Sequence, residues 1–153
     1  MEIDDLLAAE NVLANFRASS KKQTLQTLAR QLADCIGQNP KDVFNGILER
    51  ERLGSTGVGK GVAIPHARVK GLDKIVGLFA RLSTPIDFDS VDDRPVDLIF
   101  MLLAPEDAGA DHLKALAKIS RLLRDDKMCD KLRATHEDQA LFAMLAHPSS
   151  NVA

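Results

Sequence analysis

The chain has 153 residues, 45% of them hydrophobic and 27% charged, with 20 Lys and Arg against 22 Asp and Glu, a net charge of -2 and a pI near 6.1. That apolar content suits one core in a single domain spanning 1–153. The two signs of charge are interspersed without a basic tract, which argues against nucleic acid as a partner.

Cys35 and Cys129 lie far apart without CxxC spacing, so no disulfide framework or cysteine metal site is indicated and a reducing compartment is expected. The first five residues are acidic where a secretion signal would be basic. No apolar run approaches the ~20 residues that cross a bilayer. The expectation is a cytoplasmic protein that is not membrane-embedded.

Ser20 with Gln23 forms a capping box, and Leu25, Leu28, Ala29, Leu32 and Ile36 recur at helical spacing up to Gly37. An amphipathic helix with a glycine stop follows. Asn39 caps a second helix with Pro40 in its first turn and Val43, Phe44, Ile47 and Leu48 on its apolar face, running out near Arg52. Residues 54–61, GSTGVGKG, hold four glycines in eight positions and read as a loop.

Val62, Ala63 and Ile64 make a short apolar run that Pro65 ends. The β-rich runs at 75–80 and 96–103 are bounded by turn residues, as for strands buried on both faces at the centre of a sheet. Past 105–110 a third helix starts at Asp111 and lines up His112, Leu116, Ile119 and Leu123. Shorter helices are expected around 128–134 and 137–146, then a polar, flexible tail over 147–153. Helices before, between and after strands imply an α/β sandwich. No internal repeat or linker divides it.

The stretch Gly54-x-x-x-x-Gly59-Lys60 imitates a nucleotide-binding P-loop, but residue 61 is glycine where a Ser or Thr hydroxyl must hold magnesium. It also leaves a helix and enters a strand, the reverse of a P-loop. The dinucleotide fingerprint fails as well, because position 62 is valine. The glycines serve either a tight turn or a functional loop.

His66 directly follows Val-Ala-Ile-Pro, which presents its imidazole at a strand's end, where α/β folds place ligand sites. Arg50 and Arg52, the Ser55 and Thr56 hydroxyls, and backbone N–H groups of the glycine segment such as that of Gly57 are close in sequence, and all suit an anion. Histidine fits phosphoryl relay because its near-neutral pKa leaves a nitrogen free to attack. Read alone, His66 is either that nucleophile or a hydrogen-bonded turn residue, Arg50 either a phosphoryl ligand or a solvated helix-end cation, and His112 either a site residue or a core histidine.

The segment 51–67, ERLGSTGVGKGVAIPHA, resembles the phosphorylation-site signature of the fructose/mannitol-type enzyme IIA domains of the bacterial phosphotransferase system. Glu51, Val58-Gly59 and Val62 to His66 with Ala67 fall where that signature expects them. Residues 84–105 and 111–125 are similar to the family's later strands and helix. The chain looks most like the stand-alone nitrogen-regulatory branch, although Ala67 and Arg68 stand where that branch more often has glycine and lysine.

The resemblance implies a mixed central β-sheet flanked by helices on both sides, a three-layer sandwich. It implies that His66 accepts a phosphoryl group from a phosphorylated HPr-like carrier protein, itself charged from phosphoenolpyruvate through enzyme I. Arg50 and His112 match the family's active-site arginine and second histidine, and neither cofactor nor metal is called for. The downstream partners so implied are regulatory targets such as potassium-transport proteins or sensor kinases. The alternatives are a sugar-transport enzyme IIA that passes the group to a IIB domain, and a binding module whose His66 is never modified.

Overall fold

A computed structural model describes residues 1–148. The first helix, α1 (Lys21–Ile36), starts where the Ser20 hydroxyl accepts the Gln23 N–H at 3.1 Å, and Gly37 ends it at φ 70°, a left-handed conformation that glycine adopts without a Cβ clash. The return half of the capping box is displaced by one residue: the Gln23 side-chain oxygen accepts from Ser19 N–H and hydroxyl at 2.9 and 2.8 Å. Asn39 caps α2 (Pro40–Leu53) by accepting from the N–H groups of Lys41 and Asp42.

Six strands form one mixed sheet: β1 (Leu7–Phe16), β2 (Gly57–Gly59), β3 (Val62–Ala63), β4 (His66–Val69), β5 (Val76–Ile86) and β6 (Val96–Pro105). Their order is β1-β5-β6-β3-β2, with β4 also paired to β6. The two predicted core runs are therefore central, as expected, and they pair antiparallel, while β1 lies parallel to β5 and β3 and β4 parallel to β6. The helices α3 (Ala110–Leu123), α4 (Asp126–Arg133) and α5 (Asp138–Ala146) complete the chain close to their predicted bounds. His147 N–H closes α5 on the Ala143 carbonyl; the rest of the expected tail, 149–153, lies outside the described residues.

Strand alternation sorts the core into two layers. Leu78, Ala80 and Leu82 with Ile99, Met101 and Leu103 pack against α1 and α2, whereas Phe79, Leu98, Phe100 and Leu102 pack against α3, α4 and α5. Helices thus cover both faces, the three-layer arrangement the resemblance implied. Phe79 and Phe100 meet edge to face with centroids 6.1 Å apart, a geometry that adds about 0.5–1.5 kcal/mol to their burial.

Besides β1, which precedes the first helix and was not expected, two elements near His66 depart from the sequence reading. The glycine segment is not all loop: Gly57–Gly59 folds back as β2 on β3, and a Cβ at Gly57 would lie 2.3 Å from Ser90 Oγ, so the glycine there permits a close approach. Pro65 does not end the strand. It leaves β3 and β4 as two parts of one ladder on β6, with Ala63 opposite Ile99 and His66 opposite Leu102. Proline has no N–H to give, but its carbonyl accepts Leu102 N–H at 2.9 Å, and the pairing resumes. His66 consequently opens a strand instead of following one.

Candidate functional site

His66 is paired with Leu102 and so faces the α3 layer from a strand that, among the described residues, pairs only with β6. Its Nδ1 lies 2.8 Å from the carbonyl oxygen of Ile64, and Arg50 Nε lies 3.3 Å from its Nε2. A carbonyl only accepts and a guanidinium only donates, so both neighbours select the same tautomer. Nδ1 carries the proton, and the lone pair of Nε2 faces the guanidinium.

Arg50 reaches the ring because α2 lies close to β4: a Cβ at Gly46 would meet Ala67 Cβ at 3.5 Å. One turn further along the same helix stands Arg50, whose Nη1 donates to the Gly54 carbonyl at 2.8 Å. The arginine is thereby anchored at one end and aimed at the imidazole with the other.

His112, in the first turn of α3, is 5% exposed and packs edge-on against His66, with centroids 5.6 Å apart and planes at 73°. Its Nδ1 is buried without a hydrogen-bond partner. Burial lowers the pKa of His66; Arg50 adds to this, while the bond to Ile64 and the charge of Glu51 oppose it. The pKa of His112 falls for the same first reason, aided by His66 and Arg68. Both shifts favour the neutral ring.

A cleft of about 600 Å³ opens over these groups, with Arg50, Arg52 and Arg68 and the single acid Glu49 along its wall beside the two histidines. Three guanidiniums around a neutral nucleophile suit a tetrahedral oxyanion. Among the described residues there is no group of three or more His, Cys, Asp or Glu able to hold a metal ion.

Of the predicted residues, His66, Arg50 and His112 come together, whereas Ser55, Thr56 and Gly57 do not line the cleft. The Ser55 hydroxyl donates to the Phe88 carbonyl at 2.8 Å and accepts from Gly57 N–H at 3.0 Å. Thr56 gives both its N–H and its hydroxyl to the Glu51 carboxylate. Those donors hold the loop in this structure. Arg68 enters the sequence reading only as a departure from the branch pattern and not as a site residue, although its place two residues beyond His66 on a strand is a signal for a shared face.

The chain belongs to the EIIA 2 family of the phosphoenolpyruvate-dependent sugar phosphotransferase system, which its residues 5–147 match. Within that family it is similar to a nitrogen regulatory protein of Bradyrhizobium diazoefficiens, 56% identical over 153 residues and covering 100% of both chains. It is also similar to a fructose-specific EIIA component of the phosphotransferase system from Haloferax volcanii, 41% identical over 129 residues and 84% of each chain. The crystal structure of nitrogen regulatory protein IIA-Ntr from Neisseria meningitidis superimposes with a TM-score of 0.89 at 34% identity, covering 94% of this chain and 98% of that one. No helix among the described residues is long and apolar enough to cross a membrane.

Proposed function

We propose that this chain is a cytoplasmic regulatory phosphocarrier whose acceptor atom is His66 Nε2. The observation that carries the reading is the pairing of that unprotonated nitrogen with the Arg50 guanidinium, 3.3 Å away in a cationic cleft. The bond from Nε2 to phosphorus forms as the donor's bond to phosphorus breaks, and the donor group keeps the bonding electron pair. The chemistry asks of the protein mainly positioning and charge. As phosphorus arrives, Arg50 moves its N–H from the ring nitrogen to a phosphoryl oxygen, and His112, in the tautomer protonated at its unpartnered Nδ1, donates that N–H to another.

The donor on this reading is a phosphorylated HPr-like carrier protein, charged from phosphoenolpyruvate through an enzyme I. Signalling to nitrogen- or potassium-related targets then follows from a gain of about two negative charges at the cleft. Support for the regulatory branch is the full-length likeness to a nitrogen regulatory protein. Sugar transport by onward transfer to a IIB domain is the second reading, favoured by the likeness to the fructose-specific component.

Incubation with enzyme I, the HPr-like carrier and phosphoenolpyruvate tests the acceptor: the wild type should gain an acid-labile phosphoryl group, and His66→Ala should not. A label that persists in His66→Ala refutes the assignment. Sugar-dependent loss of the label with a membrane fraction would select the transport reading, and retention the regulatory one.

A further inference from the structure

Arg68 stands two residues beyond His66 on β4, so the two side chains leave the same face with roots about 6.6 Å apart. The burial of Ala67 and Val69 between and after them fits that alternation. Arg68 lines the same cleft as His66, Arg50 and His112, and its charge is felt at the His112 ring, whose pKa it helps to lower. The spacing and the length of the side chain put an anion on His66 within its reach.

The present anchor of that guanidinium is weak. Arg50 is held between Gly54 and His66, but Arg68 makes a 3.3 Å contact from Nη1 to the Glu106 carbonyl, at an exposed position. No ion pair among the described residues involves it. Glu106 belongs to the turn that leads from β6 into α3, where Ala108 N–H bonds to Pro105 and Asp111 N–H to Ala108. At Glu106 the guanidinium meets a neutral carbonyl that water can serve instead, whereas on a phosphoryl oxygen it would pair with an opposite charge and can bond through two N–H groups at once.

The geometry points to Arg68 as a mobile second phosphoryl ligand: once His66 carries the group, the guanidinium leaves the Glu106 carbonyl, closes on the phosphoryl oxygens and releases the 105–109 turn. The inference rests on His66 being the acceptor. It gives phosphorylation a surface readout some residues away from the modified ring, and it divides the work between a fixed arginine that meets the incoming group and a swinging one that retains it.

The test uses the full chain and its Arg68→Gln and Arg68→Lys variants with a phosphorylated HPr-like donor. Single-turnover transfer, the lifetime of the phosphohistidine and the backbone amide NMR signals of 106–109 are followed. In Arg68→Gln, transfer should slow and the phosphohistidine shorten in life by about tenfold or more, with partial recovery in Arg68→Lys, because lysine supplies the charge but not the fork. The amides of 106–109 should shift on phosphorylation of the wild type and stay still in Arg68→Gln. Thermal unfolding should be unchanged, because the side chain is exposed.

A wild type that takes up label while Arg68→Gln matches it in rate and lifetime overturns the proposal. So does a loss confined to kcat/KM at low donor concentration, which would make Arg68 a steering charge for the partner. A wild type that takes no label removes the His66 reading, and this inference falls with it.

Discussion

The Glu51 carboxylate receives both the N–H and the hydroxyl of Thr56, five residues further along the chain, and faces Lys21 Nζ at 2.9 Å. This buried node closes the turn between α2 and the β2–β3 hairpin. The Gly54 carbonyl that anchors Arg50 lies inside that turn. Loop stability and arginine placement are therefore one mechanical unit.

Glu51→Gln should lower stability by about 1–3 kcal/mol, because one end of the new amide cannot accept, and Lys21 loses the nearer of its two counter-charges and keeps the exposed Asp89 at 3.6 Å. Urea unfolding should show a lower midpoint at an unchanged slope. An unshifted midpoint would mean that the node contributes nothing.

Arg50→Ala should slow phosphoryl transfer by about 1000-fold or more. Arg50→Lys should recover little of it, since the single ammonium cannot both face His66 and hold Gly54. Single-turnover transfer measures both. Wild-type rates in either variant contradict the role.

Both histidines have pKa values lowered by the fold from 6.5, chiefly by burial. The unfolded chain then binds more protons than the native one between the folded values and 6.5, so stability is fully present above that window and is lost as the pH falls through it. Denaturant midpoints measured at descending pH should fall below 6.5. The double variant His66→Gln, His112→Gln should flatten that part of the profile. A wild-type profile already flat there would deny the depressed values.

Gly77→Ala should cost about 1–3 kcal/mol by overpacking. Its Cβ would sit 2.7 Å from Phe100 Cε1 and 3.1 Å from Leu6 Cδ1, both in the core. Thermal or urea unfolding decides it; a neutral change would mean that the Phe100 ring can yield.

Much of this was legible in the sequence because local signals agreed with tertiary packing. Ser20, Gly37 and Asn39 carry their caps in their own side chains or backbone, and the run 96–103 is apolar because β6 is buried on both faces. The strand β1 was not legible. LAAENVLANF mixes alanine and asparagine with few β-branched residues, shows register shifts, and owes its state to pairing with β5 and to packing by α5. At the site, His66, Arg50 and His112 were marked by residue type and motif. The engagement of Ser55 and Thr56 by Phe88 and Glu51 was not, because it depends on a long-range contact in one case and on a buried carboxylate in the other.

The most direct test of the central claim is heteronuclear NMR of the phosphorylated protein, with the His66 ring nitrogens resolved by their couplings to phosphorus and to the ring protons. Phosphorus bonded to Nε2, with Nδ1 still protonated against the Ile64 carbonyl, is the predicted result. Phosphorus on Nδ1, or on any residue other than His66, would contradict it.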